Sequence, residues 1–164
     1  MFNGAGDRYD WELLGKQEMI IPYNTNGFAS AKYEYKDIIR KQHLNPDPMR
    51  YELHRVWGIE GKLKPGFTHV FASRRQLYLD EDGWAAVAAT LYDGGGKISR
   101  VQEGHMFNYY DQPLCAISSE VIYDVTGGRY HVIALRNQQK PVKFEVKLDQ
   151  SKFGPSGMRS LGVR

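Results

Sequence analysis

The run Trp84-Ala85-Ala86-Val87-Ala88-Ala89-Thr90-Leu91-Tyr92-Asp93-Gly94-Gly95-Gly96-Lys97-Ile98-Ser99-Arg100-Val101 decides the fold. Trp84, Ala86 and Ala88 face one way, while Ala85, Val87, Ala89 and Leu91 face the other. The segment therefore reads as a central strand covered on both sides. Asp93 to Gly96 supplies the positive φ and the side-chain hydrogen bonding of a tight turn, and the chain then returns as a second extended run. The unit is an antiparallel hairpin.

The same punctuation recurs outward from this hairpin. Lys64-Pro65-Gly66, Asp80-Glu81-Asp82-Gly83 and Thr126-Gly127-Gly128 each separate runs rich in Val, Ile, Tyr, Phe and Trp, which implies a meander. Strands are predicted near Leu13–Pro22, Arg50–Leu63, His69–Leu79, Trp84–Tyr92, Lys97–Tyr109, Leu114–Val125, Arg129–Arg136 and Val142–Leu148. A strand of ten residues spans about 33 Å at roughly 3.3 Å per residue, and strands this long favour a curved sheet or partial barrel. In the last segment Val142, Phe144, Val146 and Leu148 alternate with Lys143, Glu145 and Lys147, so it reads as an outer strand with one dry and one wet face. Tyr51, Leu53, Trp57 and Ile59 share one parity, on which Arg55 intrudes as a strand end or a paired charge. Two stretches fall outside the meander. Tyr33 to Arg40 has loosely helical spacing, and the chain end offers Asp149 or Ser151 as a cap and Pro155 near a first helical turn. The predicted class is mainly β, a long antiparallel meander forming a curved, open half-barrel with one or two short helices, in a single domain over residues 1–164.

Composition narrows the partners. The 164 residues carry 22 Lys+Arg against 19 Asp+Glu, a formal charge of +3, with 41% hydrophobic residues, which argues against disorder. The lone cysteine, Cys115, has no intrachain disulfide partner. No apolar run approaches the roughly 20 residues of a membrane helix, and Met1 to Glu12 carries charges and glycines where a signal peptide has its apolar core. Charge is uneven. From Val125 onward eight basic residues (Arg129, Arg136, Lys140, Lys143, Lys147, Lys152, Arg159 and Arg164) stand against Glu145 and Asp149. Such an end suits an anionic lipid or acidic partner, or is simply a solvated strand and tail.

Tests for chemistry return no motif. The five histidines, His43, His54, His69, His105 and His131, lack the pairing that zinc requires. A hairpin at Lys64-Pro65-Gly66 would place Glu60 opposite His69, which reads as a cross-strand charge pair. Asp80, Glu81 and Asp82 fail the calcium-loop pattern where Trp84 stands and read as turn formers. Gly94 to Gly96 lacks the phosphate-loop context. Ser118, Ser119 and Cys115 sit without a nucleophile elbow. Arg74 and Arg75 near aromatics echo a nucleic-acid surface, yet read better as cations paired across a sheet. No catalytic residue, metal or cofactor is assigned, and no nucleic-acid partner is expected. What remains is a surplus of apolar and aromatic strand residues, either covered by a helix and core packing or offered to an apolar ligand.

The run Asn45-Pro46-Asp47-Pro48-Met49-Arg50-Tyr51-Glu52-Leu53-His54-Arg55-Val56-Trp57 resembles a proteobacterial family of unknown function whose members are often labelled outer-membrane lipoprotein-sorting proteins. The resemblance extends through Met1-Phe2-Asn3-Gly4-Ala5, Asp7-Arg8-Tyr9, Pro22-Tyr23-Asn24, Tyr78-Leu79-Asp80-Glu81-Asp82-Gly83-Trp84, Tyr92-Asp93-Gly94 and Asn108-Tyr109-Tyr110. It departs at Gly58, Gly61 and Ser99, where bulkier or aromatic residues are common. The resemblance implies a fold similar to the LolA and LolB lipoprotein carriers, an open half-barrel with a concave apolar face and helices acting as a plug. It also implies residence in the periplasm or at the outer-membrane periphery and, in some contexts, association with transporters of the resistance-nodulation-division class. Family members are longer and carry a secretory leader, so the chain corresponds to their C-terminal part.

The expectation is a non-enzymatic carrier domain for a lipid-like or other hydrophobic ligand, with Tyr51, Leu53, Trp57, Phe71 and Trp84 as wall residues. A second reading is an accessory protein that docks on an envelope transporter or outer-membrane partner through an exposed sheet edge and the basic end. A third is an unrecognised enzyme using Glu60, His69 or His54.

Overall fold

A computed structural model describes residues 1–162. Seven strands, β1 (Tyr9–Pro22), β2 (Tyr51–Leu63), β3 (Arg74–Asp80), β4 (Ala86–Tyr92), β5 (Ile98–Tyr109), β6 (Leu114–Asp124) and β7 (Arg129–Ile133), form one sheet in chain order. Every neighbouring pair is antiparallel. Two short helices complete the fold: α1 (Tyr35–Ile38), closed by a reciprocal Glu34–Asp37 capping box, and α2 (Pro155–Gly162), which begins on its proline. Asp149 accepts the Ser151 N–H at 3.0 Å, capping the 3-10 turn before α2.

The sheet is curled and open. Flat, it would hold β1 and β5 about 19 Å apart, four spacings of roughly 4.8 Å. Instead the two strands touch, and the Thr25 N–H, just beyond β1, donates to Met106 O of β5 at 2.9 Å. Irregularities that sharpen twist fall at Leu13/Gly15, where Gly15 takes φ 99°, and at Tyr78/Leu79, Leu91/Tyr92 and His105/Met106. β1 and β7 remain free edges.

Three clusters hold the curl. Ile21, Val56, Val87 and Met106 pack together where β1 comes close to β5. The segment between β1 and β2 presses Phe28, Ile38 and Leu44 onto Val121 of β6. Ala72, Leu77, Ala89 and Leu91 form the third, with Phe2 and Ile59 against them. β4 is covered unequally: Val87, Ala89 and Leu91 are buried, whereas Ala86, Ala88, Thr90 and Tyr92 are half-buried.

Four local expectations are corrected. Val142–Leu148 is not a strand: the chain leaves the sheet at Ala134 with φ 62°, and Glu145 at φ 54° breaks the extended run. Phe144 packs edge-on against Tyr109, with ring centroids 4.8 Å apart, while Val142, Val146 and Leu148 stay exposed. Alternation marks an amphipathic segment, but a strand also needs a neighbour, and β7 offers only five residues. β3 begins at Arg74, because His69 to Ser73 belongs to the turn region, so Glu60 faces Gln76 and not His69. Trp84 stands in the β3–β4 turn at φ 52° rather than opening a strand. β7 stops at Ile133, short of Arg136. Of the basic end, Arg164 lies outside the described residues.

Candidate functional site

The β1–β2 ribbon gathers several unsheltered apolar side chains. Ile20 lies directly across from Leu53, and Leu13 across from Ile59. Alternation puts Trp57 on the same face as Leu53 and Ile59. Ile20, Leu53 and Leu13 are 67%, 64% and 64% exposed. Trp57 is half-buried between its cross-strand partners Lys16 and Leu79, and the Lys16 ammonium sits 4.9 Å from its ring centroid. Lys16 is held there by Glu81, which also takes Arg55 at 2.9 Å. Arg55, intruding on the apolar parity, is thus a paired charge that stands with its cross-strand partner Glu18 between Leu53 and Trp57.

The structure brings together two of the five expected wall residues, Leu53 and Trp57. Tyr51 opens the same strand, but its hydroxyl donates to Glu103 Oε1 at 3.4 Å. Phe71 precedes β3, covered by the Arg100 guanidinium 3.6 Å from its ring centroid. Trp84 projects from the turn at the far end of β3 and is 65% exposed. Ile20 and Leu13 were missed as wall candidates. Their sequence signal was their place in the long first strand, but the register that sets them beside Leu53 and Ile59 is tertiary.

A second apolar recess was also missed. Phe107 and Tyr109 at the end of β5 meet edge-on with centroids 4.2 Å apart, and Phe144 closes on Tyr109. They line a groove of about 350 Å³ whose rim carries Arg136, Lys140 and Asp111. The groove joins residues far apart in the chain, two from β5 and one from a segment misread as a strand.

Burial dominates the electrostatics of the sheet interior. It pushes the Glu103 carboxyl upward, against the lowering effect of hydroxyls donated by Tyr51 and by Tyr123, the latter at 3.5 Å. Burial, then the charge of Glu103, pushes the Tyr51 phenol up to about 12 and raises Tyr123 as well. Burial raises the Cys115 thiol, so a ready thiolate nucleophile is not provided there. Burial works to raise Glu60, and hydrogen bonds from Gln76, Arg74 and Lys62 together outweigh it, holding the carboxyl low. Arg74 stacks 3.4 Å from the Tyr92 ring centroid while binding Glu60, and Arg75 is buried beneath Tyr9 and Phe2. Both arginines are spent inside the sheet. Among the described residues one group of potential metal ligands converges: His54, Asp80 and Asp82.

The uncharacterized protein PA3922 of Pseudomonas aeruginosa is 42% identical over 165 residues, an alignment that takes in 100% of this chain and 36% of that protein. A DUF1329 family protein from Desulfovibrio piger is similar in structure, with a TM-score of 0.49 and 14% identity over 92% of this chain and 47% of that one. A Vibrio parahaemolyticus domain described as that of an outer membrane lipoprotein-sorting protein gives a TM-score of 0.48 and 10% identity, over 93% of this chain and 49% of that one. The chain thus spans about a third of the curated relative and about half of each solved chain. The model of the family described as protein of unknown function (DUF1329) matches residues 1–159, and the chain belongs to that family.

Proposed function

We propose that the domain binds a hydrophobic or lipid-like ligand non-covalently and acts as a carrier module of the cell envelope. The observation that carries this reading is the set of apolar side chains on one face of the β1–β2 ribbon, Ile20, Leu53 and Leu13 exposed and Trp57 half-buried, with the Glu18–Arg55 rung set among them. Large apolar side chains gathered in the open on one face of a folded protein mark a place where something else is buried. Each large aliphatic side chain removed from water contributes about 1.5–3 kcal/mol, so a few contacts with an acyl chain support reversible binding. Lys16 and Arg55 lie among these apolar side chains and suit the anionic end of an amphiphile, and both are paired with Glu81.

The test is a titration of the protein with a fluorescent fatty acid, read by quenching of tryptophan emission. Saturable binding is expected, and the double variant Ile20→Asp with Leu53→Asp should weaken it at least tenfold while leaving the fold intact, since both side chains are exposed. Absence of saturation, or equal binding by the variant, overturns the proposal. The second reading, an adaptor on an envelope transporter, draws on the free edge of β1 along fourteen residues. Co-purification of a membrane partner by a ligand-free sample favours it.

A further inference from the structure

We propose that His54, Asp80 and Asp82 form a binding site for a first-row divalent cation, with zinc the preferred ion and manganese the next. The three donors come from different places: His54 from β2, Asp80 from the last position of β3, and Asp82 from the turn that follows. His54 Nδ1 lies 3.1 Å from Asp80 Oδ1 and 3.8 Å from Asp82 Oδ2, and the donor atoms all fall within 4.8 Å of one another. A tetrahedral ion with bonds of about 2.0–2.1 Å needs its ligand atoms roughly 3.3 Å apart, which these separations bracket. Asp82 is mostly exposed and free to adjust.

The surroundings are those of a supported site. Asp80 is fully buried, 0% exposed, yet no lysine or arginine pairs with it among the described residues. A buried carboxylate is costly unless positive charge faces it, and an ion bound between Asp80 and His54 supplies that charge. The Gly83 N–H donates to Asp80 Oδ2 at 2.7 Å, which leaves Oδ1 turned to the imidazole. On the far side of the ring His54 Nε2 lies 3.4 Å from Glu52 Oε2, and Glu52 is itself held by Asn24 at 2.8 Å. A carboxylate on the second nitrogen of a ligating histidine is the usual means of fixing its orientation. The Tyr23 ring, with its centroid 3.9 Å from that of His54, fixes the ring plane from above. An open groove of about 340 Å³ beside His54 and Asp82 gives a path of entry and room for a further ligand. One imidazole with two carboxylates suits zinc or manganese better than magnesium or calcium. Bound there, the ion ties the β3–β4 turn to β2.

The experiment is calorimetric titration of chelator-treated protein with zinc, manganese, magnesium or calcium chloride, accompanied by thermal melts. Zinc should bind one-to-one, more tightly than manganese, and raise the melting temperature; magnesium and calcium should give no saturable signal at the same concentrations. Asp82→Asn, an exposed change that leaves the core untouched, should weaken zinc at least tenfold, and His54→Gln should abolish it. One-to-one uptake that survives both substitutions places the ion on another histidine and overturns the proposal. So does the lack of any saturable uptake by the unsubstituted protein.

Discussion

Phe28→Ala is expected to cost about 3–5 kcal/mol, the range for emptying a fully buried phenylalanine site. At roughly 2–4 °C per kcal/mol for a chain of this size, the melting temperature should fall by about 10 °C. Phe28 is the anchor of the segment between β1 and β2, which has little regular structure of its own: the four residues of α1 and one bridge between Ile39 and Leu44. Its hold on the sheet comes from Phe28, Ile38 and Leu44 packed against Val121, from the Phe28 ring stacked 4.7 Å from that of His105, and from Asn137, whose amide donates to Phe28 O at 2.6 Å. Truncating the ring removes the cover of a polar side chain as well as the apolar contacts. Urea denaturation measures the loss, and hydrogen exchange locates it: amides of residues 24–50 should lose protection before those of β2 and β3. A loss below 1 kcal/mol would mean that the segment is held by its polar ties to Met106, Asn108 and Tyr130 instead.

How far the sequence foretold this arrangement depends on the distance over which each signal acts. The hairpin turns were legible because their chemistry is local. Asp93 accepts the N–H groups of Gly95 and Lys97, and Asp124 that of Gly127, as short acidic side chains do in tight turns. The start of the terminal helix at Pro155 was legible for the same reason, whereas the Glu34–Asp37 capping box of α1 was not read. Val142–Leu148 was misread because alternation records which side chains avoid water, while strand formation depends on a neighbouring edge. The Glu60–His69 pairing failed because ten residues separate β2 from β3, too long a connection for register to be counted from the glycine. Parity alone put Leu53 and Trp57 on one strand face. Their companions Ile20 and Leu13 needed the β1–β2 register, whose bulge at Leu14 breaks simple counting. The His54–Asp80–Asp82 group was invisible for a related reason: the first aspartate lies twenty-six positions after the histidine, and only the β2–β3 pairing closes that gap.

Lowering the pH from 7 to 4.5 should destabilise the protein through His105, by roughly 2–3 kcal/mol from this one side chain. His105 is 0% exposed, and neither of its ring nitrogens has a hydrogen-bond partner among the described residues. Burial pushes its imidazole down to about 4, from an ordinary 6.5. For a base depressed in this way the unfolded chain takes up a proton near pH 6.5 while the folded chain resists until about pH 4. The contribution of neutral His105 is therefore present above 6.5, falls as the pH drops through that window, and levels off below 4. The nearest titrating group has the opposite sign. Glu103, whose Oε2 lies 3.8 Å from His105 Nε2, is raised by burial, so its contribution is present below its ordinary value and lost as the pH climbs. The two partly cancel in the whole protein, which is why the measurement is a comparison. Urea midpoints at pH 7 and 4.5 should show the unsubstituted protein losing roughly 2–3 kcal/mol more than His105→Phe or His105→Leu, because carboxylates common to all three drop out of the difference. Two replacements of different size guard against a packing artefact, since an overfilled site shifts stability equally at both pH values. If all three proteins lose the same amount, His105 is protonated without opening the contact with Phe28. The segment between β1 and β2 would then hold to the sheet in acid as firmly as at neutrality.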